Sequence, residues 1–422
     1  MRNLTVIKTI SIKKLFGVYD VELQLDNIIN IYVGENGIGK TTILNCIYYF
    51  LSGNFIKLSE LPFESIIVKF NNDNLSETIL HKSKLDEIIS KLRNPLLRRT
   101  LIHNNFNGDD AENLELIKWL GPRLNYEPMY QNELIKRALK INVNEYVNEE
   151  ILYLPTYRRI EVDLMNCLSQ KGNERKEYKD INKEDLLLNF GMDDVAAAIN
   201  DILKEINDIS LIEFHKMTRT LLEEYSNLDT SMDVDKEIEK DKLRIVLDRI
   251  GNEIHLNIRE KILKLVKNGR INDAEYAYLK GLLQKLLDSY EEQRTYDDKI
   301  NAFVRACNKY LINKKFVYDP NNLKLDIYLN NSNDILALSS LSSGEKQIVS
   351  LFAKLHLDKT QHKRIIIIDE PELSLSINWQ KMLLPDIYNS NSCSLLITVT
   401  HSPFVFQNEF DKYAKDIKQF IR

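Results

Sequence analysis

Gly34, Glu35, Asn36, Gly37, Ile38, Gly39, Lys40 and Thr41 fit the spacing GxxxxGK followed by serine or threonine. Glycine is otherwise scarce, 13 of 422 residues or about 3% where ~7% is usual, yet three of the 13 fall within these few positions. The first turn of a helix offers unsatisfied N–H groups and the positive end of a dipole. Glycines before it let the backbone wrap closely enough to aim those donors at phosphate oxygens. Asn36, Gly37, Ile38, Gly39, Lys40, Thr41 and Thr42 are therefore the candidate nucleotide-binding residues. Lys40 would neutralise charge on the β- and γ-phosphates, and Thr41 would give its hydroxyl to Mg²⁺. An ordinary glycine turn ahead of a helix is the plainer alternative.

Two carboxylates complete that chemistry. Asp369 and Glu370 close a run of four isoleucines, so the first is held at a strand tip where it can bind Mg²⁺ through the water shell. The second is then placed to polarise an attacking water. Thr41 and Asp369 are the candidate metal ligands, and Glu370 is the candidate catalytic base of nucleoside triphosphate hydrolysis. Glu372, past Pro371, reads as a solvated loop acid. Leu341 to Gln347, LSSGEKQ, opens a helix whose apolar face continues through Ile348, Leu351 and Leu355. It is a second small-residue loop at a helix N-terminus, hence a second anion-binding device. One chain has no need of two γ-phosphate sites. Ser342, Ser343, Gly344 and Glu345 of one copy are therefore expected to close over the nucleotide held by another.

The elements that must position these groups are legible in the apolar spacing. Ile28, Ile29, Ile31 and Val33 run into the glycine loop, and Ile43, Leu44, Ile47 and Phe50 follow it at helical spacing, giving strand, loop, helix. Leu4 to Ile12 and Tyr19 to Leu25 alternate with period two and predict an antiparallel hairpin beside that strand. Arg364 to Asp369 and Ser394 to Thr400 are continuous β-branched and aliphatic runs, as in buried parallel strands. The pieces of one sheet thus lie about 320 residues apart, and most of the chain is insertion into an α/β core. Within the insertion, Leu243, Leu247, Ile250, Ile254, Ile258, Ile262 and Leu265 recur at helical spacing, as do Leu279, Leu282, Leu283, Leu286, Leu287 and Tyr290. Turn signals at 226–231 and 267–273 point to helical hairpins. Residues 61–148 read as mixed, with a strand at Ser65 to Phe70 and helices around Lys84 to His103 and Ala111 to Leu120. A further strand is read at Ile151 to Leu154, just before Arg158 and Arg159. The expected fold class is α/β, a mixed or parallel sheet with flanking helices and a long helical insertion. The expected domains are 1–160 with the phosphate loop, 161–320 helical, and 321–422 with the remaining motifs.

Composition narrows the function classes. Lys and Arg total 57 against 62 Asp and Glu, a formal net charge of -5, so no global positive field draws the chain onto nucleic acid or anionic lipid. Cys46, Cys167, Cys307 and Cys393 are scattered without CxxC spacing, which argues against a zinc site or disulfide framework. No stretch approaches 18 apolar residues and the N-terminus lacks an apolar signal region, so the expectation is a cytoplasmic protein with no membrane contact.

LSSGEKQ, followed about 25 residues later by IIIIDEPE and then by ITVTH, resembles the signature, Walker B and switch histidine of ABC-type ATPases. The resemblance implies ATP with Mg²⁺, an ATP-sandwiched homodimer, and Ser342 and Gly344 as γ-phosphate contacts made in trans. His401, at the C-terminal end of a strand where such a sheet faces its ligand crevice, matches the γ-phosphate-sensing histidine, so it joins Glu370 as a catalytic candidate. ELSLSINWQ stands in place of the dimer-contacting loop and departs from its common LHP form. The opening IKTISIKKLFGVYDVELQL and the DEPE motif are similar to the non-transporter Rad50, RecF and OLD branch. ILYLPTYRRI and the compact length look like the ATPase subunits of anti-phage systems, the AriA type of PARIS above all and the PtuA type of Septu less closely. That likeness implies a slow ATPase switch in a higher homo-oligomer. It would hold a separate TOPRIM-type nuclease effector and release it when a phage trigger protein is recognised. Only 21 residues follow His401, so the nuclease is expected on another chain. The rival expectation is a DNA-repair ATPase gripping duplex DNA through Lys91, Arg93, Arg98, Arg99, Arg158 and Arg159. A transporter subunit is disfavoured by the length of the insertion.

Overall fold

A computed structural model describes residues 6–71, 77–94, 128–141, 143–155, 192–227, 238–249, 255–332, 334–358 and 362–422. The contacts divide the chain into two compact units, 1–189 with 361–422, and 190–360.

In the first unit, β1 (Ile7–Leu15) and β2 (Tyr19–Gln24) form the expected antiparallel hairpin. It does not join the sheet of β3 (Ile29–Val33). It pairs through β1 with β4 (Ser65–Phe70), and β4 with β5 (Glu77–His81), giving a separate sheet of order β2-β1-β4-β5. The physical reason is the alternating pattern itself, which leaves only one face of β1 buried, whereas β3 is apolar throughout. The strand expected at Ser65 to Phe70 is β4.

The second sheet of this unit is wholly parallel. It joins β3 to β6 (Glu150–Leu154), β10 (Arg364–Asp369), β11 (Cys393–Thr400) and β12 (Ala414–Asp416), in the order β12-β3-β11-β10-β6. All six residues of β10 are buried, as a strand covered on both faces must be. Register puts Asp369 beside Val399 and Thr400 beside Val33, so β3, β11 and β10 end nearly flush. The helix α1 (Lys40–Ser52) follows β3 and is bounded by Gly39 and Gly53, both with positive φ. It is tied to β6 by a buried 2.8 Å hydrogen bond from the Tyr153 hydroxyl to Asn45 Oδ1. The short α2 (Phe55–Ser59), then α3 (Lys82–Arg93) and α4 (Pro128–Leu139), complete the N-terminal part of the unit. The helix read at Lys84 to His103 has its described part in α3, while Ala111 to Leu120 lies outside the described residues.

The second unit contains α5 (Met192–Asn227), α6 (Lys240–Arg249), α7 (Leu256–Lys267) and α8 (Ala277–Asn308). The stripe from Leu243 to Leu265 falls on α6 and α7, with Ile250 and Ile254 outside the described residues. A small antiparallel sheet, β7 (Lys314–Asp319), β8 (Lys324–Leu329) and β9 (Ile335–Leu336), follows, and then α9 (Ser343–His356). This sheet was not legible as such. The boundary expected at 320 falls in the β7–β8 turn, and the compact unit runs on to 360. Packing explains why: Phe316 of β7 meets Phe303 of α8 at 5.1 Å, and Phe352 of α9 meets Tyr310, just after α8, at 5.6 Å. The LSSGE segment therefore folds with the helices. The boundary expected at 160 lies outside the described residues. The first unit also contains α10 (Ile377–Tyr388), between β10 and β11.

One polar cluster sits in the helical core. Arg249 of α6 and Asp297 of α8 are 3% and 6% exposed and form a bidentate pair of 2.6 and 2.8 Å. Arg249 also donates to Gln293 at 2.9 Å and to the Pro320 carbonyl at 2.9 Å, and the Tyr318 hydroxyl donates to Asp297 at 2.5 Å. A buried ion pair is tolerated when every donor finds an acceptor in this way. Removing one partner strands the other. Asp297→Ala is expected to lower the stability of the helical unit by about 3–5 kcal/mol, read as an earlier midpoint in urea.

Candidate functional site

The glycine loop leaves β3 at Val33 and enters α1 at Lys40. Gly34 has a steric reason to be glycine, because an added Cβ would come within 2.5 Å of the fully buried Ile417 side chain. Gly37 and Gly39 adopt φ of 85° and 90°, where a side chain strains the backbone. Asn36 and Gly37 are exposed, and Ile38, Gly39, Thr41 and Thr42 are half-buried.

Lys40 is only 5% exposed and folds back over its own loop. Its Nζ donates to the carbonyls of Gly34 at 2.9 Å and Glu35 at 3.0 Å, and it also contacts His401 Nε2. Burial lowers the Lys40 pKa, against the opposing charges of Glu370, Asp369 and Glu372. The next residue, Thr41, donates its hydroxyl to Asp369 Oδ2 at 2.7 Å. Hydroxyl and carboxylate are hard oxygen donors at the head of a helix, a set that suits Mg²⁺ and not a soft metal.

Glu370 leaves β10 with φ of 50°, a conformation that costs about 1–3 kcal/mol in a residue with a side chain. The main chain pins it there: Glu370 N donates to Val399 O at 3.0 Å, and its carbonyl accepts from Leu373 N at 3.2 Å. Its carboxylate lies 3.5 Å from His401 Nε2. Burial, then the charges of Asp369 and Glu372, raise its pKa above the usual glutamate value, while His401 and Lys40 pull it down. Lys40, Thr41, Asp369, Glu370 and His401 thus meet at the C-terminal edge of the parallel sheet. Beside them opens a cleft of about 610 Å³ lined by Gly34, Glu35, His401, Phe406, Asp411 and Lys418 among others.

Glu372 is not the solvated acid expected. Its carboxylate accepts the Thr400 hydroxyl at 2.7 Å, His401 N at 2.7 Å and Ser402 N at 3.1 Å. Ser402 in turn donates to Gln380 Oε1 at 2.7 Å, and Gln380 Nε2 donates to the Leu375 carbonyl at 2.9 Å. The turn after Pro371 brings the chain back along β11, so the second glutamate of DEPE fixes the backbone that carries His401. Sequence reasoning had only the two-residue spacing from Glu370 as a signal.

Ser342, Ser343, Gly344 and Glu345 lie in the helical unit. Ser342 is the N-cap of α9: its Oγ accepts from Glu345 N at 3.4 Å, and Glu345 Oε2 accepts Ser342 N and Oγ at 2.8 Å each. Lys314 Nζ of β7 adds a third donor at 2.9 Å. Burial raises the Glu345 carboxyl, but Lys314 and Ser342 outweigh it and leave the pKa below the usual value. Glu345 therefore faces inward and shapes the loop, while Ser342 and Ser343 are exposed. Of the basic residues considered for DNA, Lys91 pairs with Glu87 at 2.5 Å, and Arg98, Arg99, Arg158 and Arg159 lie outside the described residues.

The family described as AAA ATPase domain matches residues 6–406. The DNA replication and repair protein RecF of Clostridium tetani is 21% identical over 380 residues, 87% of this chain and 86% of that protein. The retron Vc95 probable ATPase of Vibrio cholerae is 22% identical over 408 residues, 92% of this chain and 68% of that protein. The retron Ec83 probable ATPase of Escherichia coli is 27% identical over 143 residues, 29% and 26% of the two chains. Among solved structures, the chain is similar to the Smc head domain of Pyrococcus furiosus bound to the C-terminal domain of ScpA. That likeness has a TM-score of 0.37 and 14% identity, over 95% of this chain and 91% of that one.

Glu372→Ala would leave three donors without their acceptor. The expected cost is about 1–3 kcal/mol of stability, with faster amide hydrogen exchange at His401 and Ser402 as its local mark.

Proposed function

The chain belongs to the AAA ATPase domain family, matched from residue 6 to 406, and on that premise we propose that it is an ATP-driven molecular switch. The observation that carries this reading is the 2.7 Å pair of Thr41 and Asp369 beside Lys40, with Glu370 and His401 facing the same loop. In this reading the N–H groups from Asn36 to Thr42 cradle the β-phosphate, and Lys40 exchanges its loop carbonyls for phosphate oxygens. Thr41 and Asp369 hold Mg²⁺, which supplies charge neutralisation to the triphosphate. Glu370 takes a proton from the attacking water, its raised pKa making it a better base. His401, with its backbone clamped by Glu372, reports on the γ-phosphate. Ser342, Ser343 and Gly344 reach the nucleotide of a second copy, and Glu345 acts by holding their loop.

The switch serves, in this reading, as sensor and scaffold of a phage-defence system, holding a separate nuclease effector of the TOPRIM type until a phage trigger protein arrives. Support comes from the retron ATPases, which match most of this chain in one case, and from the narrower likeness of ILYLPTYRRI to the AriA type of ATPase. RecF likeness over 87% of the chain favours a second reading, a DNA-repair ATPase. ATP-dependent DNA binding with a steep salt dependence would select that one.

Glu370→Gln is expected to slow hydrolysis by about 10²–10⁴ while nucleotide affinity stays near that of the parent, and to accumulate an ATP-bound dimer seen by light scattering. Full turnover in that variant would mean another base. With its genomic neighbours expressed, the protein is expected to co-purify an effector, and Lys40→Ala to abolish protection against phage. Protection by Lys40→Ala without any bound effector would end the defence reading.

A further inference from the structure

β7 is bonded at both ends, and the two ends serve different parts of the helical unit. Near its start, Lys314 Nζ donates to Glu345 Oε2 at 2.9 Å, and this pair is 18% and 7% exposed. Glu345 spends the same oxygen on Ser342 N and Oγ, so one carboxylate oxygen joins the strand to the cap of α9. Near its end, Tyr318 donates to Asp297, itself paired with Arg249. Between them, Phe316 N donates to Asn308 Oδ1 at 2.7 Å, and Asn308 Nδ2 donates to the Phe316 carbonyl at 2.9 Å, both at the end of α8. The strand is thus a rod fixed to α6 and α8 by buried bonds, with the serine-glycine loop attached to its other end.

We propose that Lys314 is a positioning residue for the trans site: through Glu345 it sets the Ser342–Gly344 loop, and through β7 it passes the packing of α6 and α8 to that loop. The inference rests on the sandwich reading above. It gives the helical insertion a route to the ATPase, since anything that shifts α6 against α8 acts on the Arg249–Asp297–Tyr318 cluster and moves the strand that carries Lys314. The occupant of the helices need never touch nucleotide.

The test uses the full chain in the Glu370→Gln background. Lys314→Met is expected to leave nucleotide binding by the monomer within about twofold and to weaken ATP-driven dimerisation about tenfold, equivalent to about 1.4 kcal/mol, with Lys314→Arg restoring most of it. Amide exchange at Ser343 to Glu345 should rise in Lys314→Met, and also, by a smaller factor, in Tyr318→Phe. Lys315→Gln, on the exposed side of β7, should change neither reading. Dimerisation by Lys314→Met at the parent's strength, an equal loss in Lys315→Gln, or loop exchange unmoved by Tyr318→Phe would each overturn the proposal. If the parent itself forms no ATP-dependent dimer, the sandwich reading fails. The exchange rates alone then decide whether Lys314 sets the loop.

Discussion

Thr41 and Asp369 stand 328 positions apart and share a 2.7 Å hydrogen bond. Nothing local holds them together. The bond exists because β3, β11 and β10 run parallel in a register that ends them at one level, and because α1 starts where the glycine loop turns back over that edge. Parallel strands covered on both faces must be apolar along their length, which leaves their C-terminal tips as the first places where a carboxylate or histidine can stand. Asp369, Glu370 and His401 occupy those tips.

The chemistry at the edge follows from one dry environment acting on opposite charges. Burial draws Lys40 down and Glu370 up, each toward its neutral form, and each is pulled back by the other's charge. Glu372 escapes this competition for a different reason: it is spent on three donors of the β11 turn. Three carboxylates within four residues thus have three tasks, one against Thr41, one facing His401 and one holding the chain that carries His401. The positive φ of Glu370 is what parts them, turning its side chain out of the alternation that β10 would otherwise impose.

Most of this edge was legible in the sequence, since glycine spacing and unbroken isoleucine runs depend on local sterics and on burial from both sides. Arg364 to Asp369 and Ser65 to Phe70 coincide with strands for that reason. Glu372 was misread because its partners come from β11, and no pattern near an Asp-Glu-Pro turn says which way the chain folds back. The hairpin of β1 and β2 was found but given the wrong neighbour, as strand alternation states which face is buried and not which strand completes the sheet. Glu345 was read as reaching outward. Serine followed three residues later by glutamate is also a capping box, and only the presence of Lys314 across the loop distinguishes a carboxylate turned inward. The sheet of β7 to β9 was missed because its strands are short and only partly buried, which weakens the period-two signal.

The order in which the chain leaves the ribosome has a consequence for this architecture. β3 and α1 emerge early, but their neighbours β10 and β11 follow about 330 residues later, a delay of about 16–66 s at ~5–20 residues per second. The helical unit is continuous in sequence and completes first. Until translation nears its end, the flank of β3 that will meet β11 stays open, an apolar edge of the kind that invites aggregation and chaperone capture. Assembly of the nucleotide-facing edge is thereby a late event in the life of each molecule, and newly made chains have no hydrolytic machinery until they are almost whole.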